Sequence, residues 1–194
     1  MDEKEKSLIG RIIFKKYVLK RLLGKGCFSK VYLGQNIIDK KSYAIKTENI
    51  FSEKQYLRDE AFRLYNLKGL GIPELIGFGR SGNYRCLIQT LLGKTLNDYF
   101  YIEKKQKISN KDICIIAIQT LERIEFVHSK NYIHRDIKPS NFLFGNSDNS
   151  LIYIIDFGSA RKYRNAKTGK HISQLQTQRI IGTTLFLSLN VVKG

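Results

Sequence analysis

The hydrophobic period of this chain changes once, and that change limits the folds open to it. Over residues 17–47 apolar residues alternate with polar ones, the period of a strand with one buried face. Tyr17-Val18-Leu19-Lys20-Arg21-Leu22-Leu23 leads through Gly24-Lys25-Gly26-Cys27-Phe28-Ser29 into Lys30-Val31-Tyr32-Leu33-Gly34 and then Ser42-Tyr43-Ala44-Ile45-Lys46, which predicts a three-stranded antiparallel meander. Two further strands are expected at residues 75–79 and 86–90, around the turn Ser81-Gly82-Asn83. Between them Ser52 and Gln55 form a capping-box pattern, opening a helix that runs to about Leu67 before Gly69 and Gly71 stop it. From Ser109 the period is helical: Ser109 with Asp112 makes a second capping box, and Ile113, Ile116, Ala117, Leu121, Ile124 and Val127 fall on one face up to His128. Short strands should flank residues 146–149, and residues 159–182 form a polar, basic stretch without periodicity. The ordering predicts an α+β chain in two parts, an antiparallel sheet with one helix and then a mostly helical part, with the boundary at Gly93.

A chain of 194 residues with 42% apolar content can bury a real core. Cys27, Cys86 and Cys114 are odd in number and widely spaced, which suits packing residues in a reduced compartment better than a disulfide framework. The start, Met1-Asp2-Glu3-Lys4-Glu5-Lys6, is charged and unlike a secretory signal, and the apolar run at residues 113–118 is too short to span a bilayer. A cytoplasmic or nuclear location is the expectation. The 34 Lys plus Arg against 17 Asp plus Glu give a net charge of +17, which attracts polyanions but does not choose among them.

Two strings carry the chemistry. His134-Arg135-Asp136-Ile137-Lys138-Pro139-Ser140-Asn141 is followed, after the apolar run 151–155, by Asp156-Phe157-Gly158. The first fits the H-R-D-x-x-x-x-N catalytic loop of protein kinases and the second their metal-binding D-F-G. Asp136 is the candidate for positioning and deprotonating a substrate hydroxyl. Lys138 is placed to neutralise charge on a transferring phosphate, and Asn141 with Asp156 offers hard oxygen ligands for Mg²⁺ on nucleotide phosphates. Upstream, Gly24 and Gly26 would let backbone N–H groups approach phosphate oxygens, although G-x-G alone also fits an ordinary hairpin loop. Lys46, on the following strand, stands where that kinase pattern places its phosphate-holding lysine. Its expected acidic partner is Glu60 in the capped helix. Glu53, in the first turn, and Asp59, about 100° away on an ideal helix, compete for that place.

The chain resembles a eukaryotic protein kinase of the casein kinase 1 group over about residues 17–194, with the tau-tubulin kinases as the nearer alternative. The resemblance rests on His128-Ser129-Lys130-Asn131-Tyr132-Ile133 before the catalytic loop, Asn141-Phe142-Leu143-Phe144-Gly145 after it, and Tyr153 through Arg164 around D-F-G. Leu91-Leu92-Gly93-Lys94-Thr95-Leu96, Gly69-Leu70-Gly71-Ile72-Pro73 and Ser188-Leu189-Asn190 at the usual A-P-E position add to it. It implies a bilobal protein-kinase-like fold: an extension at 1–16, a β-rich N-lobe at 17–92 and a partial, mostly helical C-lobe at 93–194. It also implies that Leu23 and Val31 cover an adenine, that Ala44 lines its pocket and that the backbone of Thr90 and Leu92 bonds its edge. Gln89 would be the gatekeeper, and Thr183 would lie near Asp136. The implied cofactors are ATP and Mg²⁺, and the implied partners are acidic or already phosphorylated proteins phosphorylated on Ser or Thr. Nucleic acid is not an expected partner.

Three features depart from that resemblance. Ser29 replaces the third loop glycine, and Leu185-Phe186 stands where the group is similar to R-Y, so an arginine that would hold a substrate phosphate is missing. The sequence also stops at Gly194, before the later helices of the lobe, so a partner or a further segment is expected to complete it. The alternative reading is therefore a catalytically impaired nucleotide-binding or interaction protein.

Overall fold

The computed structural model describes residues 8–26, 29–52, 55–102, 108–173 and 181–193. The chain divides into two compact units, Met1–Phe62 with Glu74–Leu91, and Arg63–Pro73 with Leu92–Gly194.

The first unit is built on a six-stranded antiparallel sheet. Its strands are β1 (Ile12–Ile13), β2 (Tyr17–Lys25), β3 (Lys30–Asn36), β4 (Ser42–Asn49), β5 (Leu75–Ser81) and β6 (Tyr84–Thr90), in the order β1-β2-β3-β4-β6-β5. Alternation puts Tyr17, Leu19, Tyr32, Ile45, Cys86 and Ile88 into one apolar cluster, which Leu8 and Ile13 complete. Strand β4 is buried from Ala44 to Glu48, so its opposite face, Ala44-Lys46-Glu48, is covered as well. The helix α1 (Tyr56–Asn66) buries Leu57, Glu60, Ala61 and Leu64, an i, i+3, i+4, i+7 stripe that contains one charged residue. The predicted Ser52–Gln55 cap does not start this helix. Its first residue is Tyr56, and the Leu57 N–H is capped by the Glu48 carboxylate of β4 at 3.2 Å. A cap supplied from another strand leaves no local sequence signal.

The second unit opens with β7 (Leu92–Thr95) and α2 (Leu96–Ile102), neither of which the period of the sequence announces. The long helix α3 (Asn110–Ser129) follows, and Ser109 caps it by accepting from the Asp112 N–H. After it come β8 (Tyr132–Ile133), β9 (Phe142–Gly145), β10 (Ile152–Ile154), β11 (Arg161–Lys162) and the short α4 (Leu189–Lys193). Strands β10-β9-β7 form one small sheet and β11-β8 another. The stretch from 159 onward is thus more ordered than its lack of period suggests: β11 pairs with β8, and Arg164 bridges His171. Residues 174–180 of that stretch lie outside the described residues, as do Cys27 and Glu53. Of the cysteines, Cys86 is buried, and burial pushes its thiol up to about 12, whereas Cys114 is exposed and is not the packing residue expected.

The apolar stripe foreseen on α3 is only partly covered. Val127 is buried and Ile116 and Ile124 are half-buried, but Ile113, Ala117 and Leu121 are exposed. The helix packs on β10 and β8 through a face that includes Arg123 and Val127, which rotates part of the stripe away. Ile118 at 58% and Leu121 at 66% exposure leave neighbouring apolar side chains of this helix open to solvent. The 194-residue chain is expected to enhance the fluorescence of an environment-sensitive hydrophobic dye, and Ile118→Lys with Leu121→Lys should remove most of the signal. A dye response equal to that of the double variant would contradict this. Among the described residues no helix is long and apolar enough to cross a membrane.

Candidate functional site

In the first unit, strand register sets candidate residues side by side. Gly24 pairs with Val31, Val31 with Lys46, and Lys46 with Leu87, while Ala44 pairs with Gln89. Residues 44 and 46 share a face of β4, so Val31, Ala44, Lys46 and Gln89 lie on one side of the sheet. Leu23 falls at a break in the β2–β3 register and is exposed. Gly26 donates its N–H to the Ser29 carbonyl at 2.8 Å, closing the glycine-rich turn, whose residues 27 and 28 lie outside the described set. The Thr90 N–H is committed to the Glu74 carbonyl at 3.1 Å. Lys46 is 5% exposed and Glu60 4%, and Lys46 Nζ donates to Glu60 Oε1 at 2.5 Å. Asp59, the neighbouring acid, is exposed.

In the second unit the catalytic-loop string forms a closed network. Asp136 Oδ1 accepts from the Thr183 N–H (3.0 Å) and from Thr183 Oγ1 (2.8 Å), and its Oδ2 pairs with Lys138 Nζ (2.8 Å). Lys138 Nζ also donates to Thr183 Oγ1 at 2.9 Å. Asn141, buried on the turn Pro139–Asn141, donates from Nδ2 to the Asp136 carbonyl at 2.7 Å and to its Oδ2 at 3.2 Å. Burial alone would raise the Asp136 carboxyl, but hydrogen bonds from Lys138, Thr183 and Asn141 and the Lys138 charge outweigh it and hold the group below the usual carboxylate range. Gly182 precedes Thr183 with φ +116°, and a Cβ there would stand 2.8 Å from the Arg135 carbonyl, so only glycine fits this approach. Leu92, the remaining candidate in this unit, pairs with Gly145 in the β7–β9 ladder.

Asp156 sits in the left-handed region at φ 67°, as does Arg135 at φ 68°, and both stand next to fixed backbone. Three cationic or imidazole side chains hold four of the carbonyls of residues 155–159. His134 Nε2 is 2.8 Å from the Ile155 carbonyl, Arg63 Nη1 donates to those of Phe157 (2.9 Å) and Gly158 (2.7 Å), and Arg135 Nε donates to that of Ser159 (2.6 Å). Arg63 is absent from the sequence reading because its partner lies 94 residues away and no local string announces it. The Asp136 N–H points at His134 Nδ1 (3.3 Å), so the proton of a neutral His134 belongs on Nε2.

Burial pushes His134 below its ordinary 6.5, and this outweighs the opposing pull of the Ile155 carbonyl and of Asp156 and Asp136. A histidine lowered in this way binds fewer protons folded than unfolded, so its contribution to stability is full above 6.5 and is lost as pH falls through the folded value. The denaturant midpoint should therefore fall between about pH 7 and about pH 5, and fall less in His134→Gln. An identical pH dependence in the two proteins would refute that assignment.

The donor set suits a hard divalent cation on phosphate oxygens. Asn141 turns its amide nitrogen to Asp136, which directs Oδ1 to the other side of the amide, and Asp156 adds a carboxylate. Among the described residues no group of three or more His, Cys, Asp or Glu gathers, and Mg²⁺ is commonly held by one or two protein oxygens plus nucleotide phosphates. Such a donor pair fits a cation site that phosphate oxygens would complete.

The network around Asp136 and the clamped D-F-G segment lie in one unit and the buried Lys46–Glu60 pair in the other, on an α+β architecture with a β-rich antiparallel unit. Residues 17–194 match the protein kinase domain, and the chain belongs to the protein kinase family.

Proposed function

We propose that this kinase is a serine/threonine kinase of the casein kinase 1 type that transfers the γ-phosphate of ATP to acidic protein substrates. The observation that carries the chemistry is the Asp136 network. A carboxylate held ionised and aimed by Thr183, Lys138 and Asn141 is ready to accept the proton of a substrate hydroxyl. Lys138 then stands beside the oxygen that attacks, where it offsets charge on the phosphoryl group in flight. Lys46, oriented by Glu60, serves the α- and β-phosphates, and Leu23, Gly24, Gly26, Val31, Ala44, Thr90 and Leu92 are assigned to the nucleotide. Asn141 and Asp156 would hold Mg²⁺, which supplies charge neutralisation on the phosphates when bound.

Substrate preference is supported by charge. Every charged residue after Asp156 is Lys or Arg, and Arg161, Lys162, Arg164, Lys167 and Lys170 are exposed. Leu185, 84% exposed where the casein kinase 1 group is similar to arginine, argues for acidic rather than already phosphorylated substrates. A cytoplasmic or nuclear site of action belongs to the same reading, as does a partner or further segment packing on the apolar face of α3. That face favours a second reading, in which the 194-residue chain binds nucleotide without turnover. Purified chain incubated with labelled ATP, Mg²⁺ and an acidic protein should label serine and threonine. Nucleotide-induced thermal stabilisation without transfer would give the second reading the stronger claim.

A further inference from the structure

The Lys46–Glu60 pair joins a strand to a helix, yet a single ion pair is a pivot and does not by itself fix the rotation of the helix it holds. The first unit contains a second tie between the same two elements. Glu48 lies two residues beyond Lys46 on β4, on the same face, with its side chain fully buried. Its Oε1 accepts from the Leu57 N–H at 3.2 Å, and its Oε2 pairs with Arg85 Nη1 at 3.4 Å from the facing position on β6. Leu57 is the second residue of α1, so its N–H is among those left without a partner inside the helix, and a negative charge there also meets the positive end of the helix dipole. Glu60 follows three residues later, on the neighbouring position of the same helical face.

We propose that Glu48 is a positioning residue for phosphoryl transfer: with Arg85 it anchors the first turn of α1 to β4, and so holds Glu60 against Lys46. The spacing permits both ties at once. Two residues of strand advance about 6.7 Å and three of helix about 4.5 Å, so consecutive same-face residues of β4 can reach successive positions along one turn of α1. Burial of the Glu48 carboxylate is costly unless it is both paired and hydrogen-bonded, and here Arg85 of β6 pairs it while the end of α1 supplies the hydrogen bond. With this tie cut, the first turn of α1 loses its charged anchor on β4, and Glu60 leaves Lys46 for part of the time.

The proposal rests on the kinase reading, so it needs one readout that uses turnover and one that does not. For turnover, Glu48→Met keeps the bulk and removes the acceptor. It is expected to lower kcat about tenfold, while the same change made on top of Glu60→Gln lowers it less than twofold, because both act through one contact. Losses that multiply would overturn the proposal, since a change that merely loosened the fold would add to Glu60→Gln. Independently of turnover, the rate at which an amine-acylating reagent modifies Lys46, followed by mass spectrometry, should rise severalfold in Glu48→Met and in Arg85→Met. If Glu48→Met does not fold, Glu48→Gln, which keeps an oxygen for Leu57 and loses the charge, should show an intermediate rise. Labelling of Lys46 unchanged in every folded variant overturns the proposal even if the wild-type chain transfers phosphate. A wild-type chain without transfer defeats the kinase assignment for this chain, and the labelling still decides whether Glu48 positions α1.

Discussion

Asp136→Asn is expected to reduce phosphoryl transfer by about 10²- to 10⁴-fold, the usual contribution of a positioned general base. The substitution changes little in shape and much in chemistry. The remaining amide oxygen can still accept from Thr183, but the new NH₂ group meets Lys138 Nζ where the carboxylate stood 2.8 Å away, two donors facing each other. Proton acceptance is lost, and the Lys138 charge loses its partner. The wild-type group is held below the ordinary carboxylate range, so it stays ionised above that range and its stabilising effect is lost only as pH falls through the lowered value. An acid limb in the rate profile near neutrality would accordingly belong to another group. Asp39→Asn, on an exposed turn, is the control for handling and folding. Rates within a few-fold of wild type in Asp136→Asn would remove this residue from the mechanism and reopen the assignment of the whole loop.

Local rules made part of this molecule readable. Strands β3 and β5 alternate in burial, β4 and β6 are buried on both faces over most of their length yet remain readable from their apolar and β-branched residues, and the start of α3 is written in Ser109 and Asp112. Strands β1, β8 and β11, of two residues each, are too short to carry a period, and β7 with α2 lacks one because Gly93, Lys94 and Asn97 interrupt it. The catalytic-loop and D-F-G strings were legible for another reason, since phosphoryl transfer needs its residues at fixed spacing within short loops. Contacts that cross the chain were not. Glu48 gives the cap of α1, Arg63 reaches the carbonyls of Phe157 and Gly158, and His134 reaches that of Ile155. Glu48 nevertheless left a trace: an acid two residues after Lys46 on a strand must share its face. The exposure of Ile113 and Leu121 could not be read from period, which shows that a helix has an apolar stripe but not what covers it.

Glu60→Leu should be strongly destabilising, by about 3 kcal/mol, because it takes a hydrogen-bonded carboxylate from a buried lysine. Lys46→Met should also be destabilising, since it leaves the buried Glu60 carboxylate without this partner charge. Lys46→Met is expected to be inactive, because it lacks the ammonium that meets the phosphates, and Glu60→Leu strongly impaired, because it lacks the group that orients it. The double variant Lys46→Met with Glu60→Leu separates stability from activity. Replacing a buried pair by apolar side chains of similar volume is often neutral or stabilising, so the double variant should recover most of the stability lost by Glu60→Leu while remaining inactive. Thermal melts of the four proteins, with transfer rates measured on the same samples, test both halves of the argument. If Glu60→Leu melts with wild type, the pair seen between β4 and α1 is not maintained in solution. If the double variant transfers phosphate, Lys46 is not the residue that holds the nucleotide.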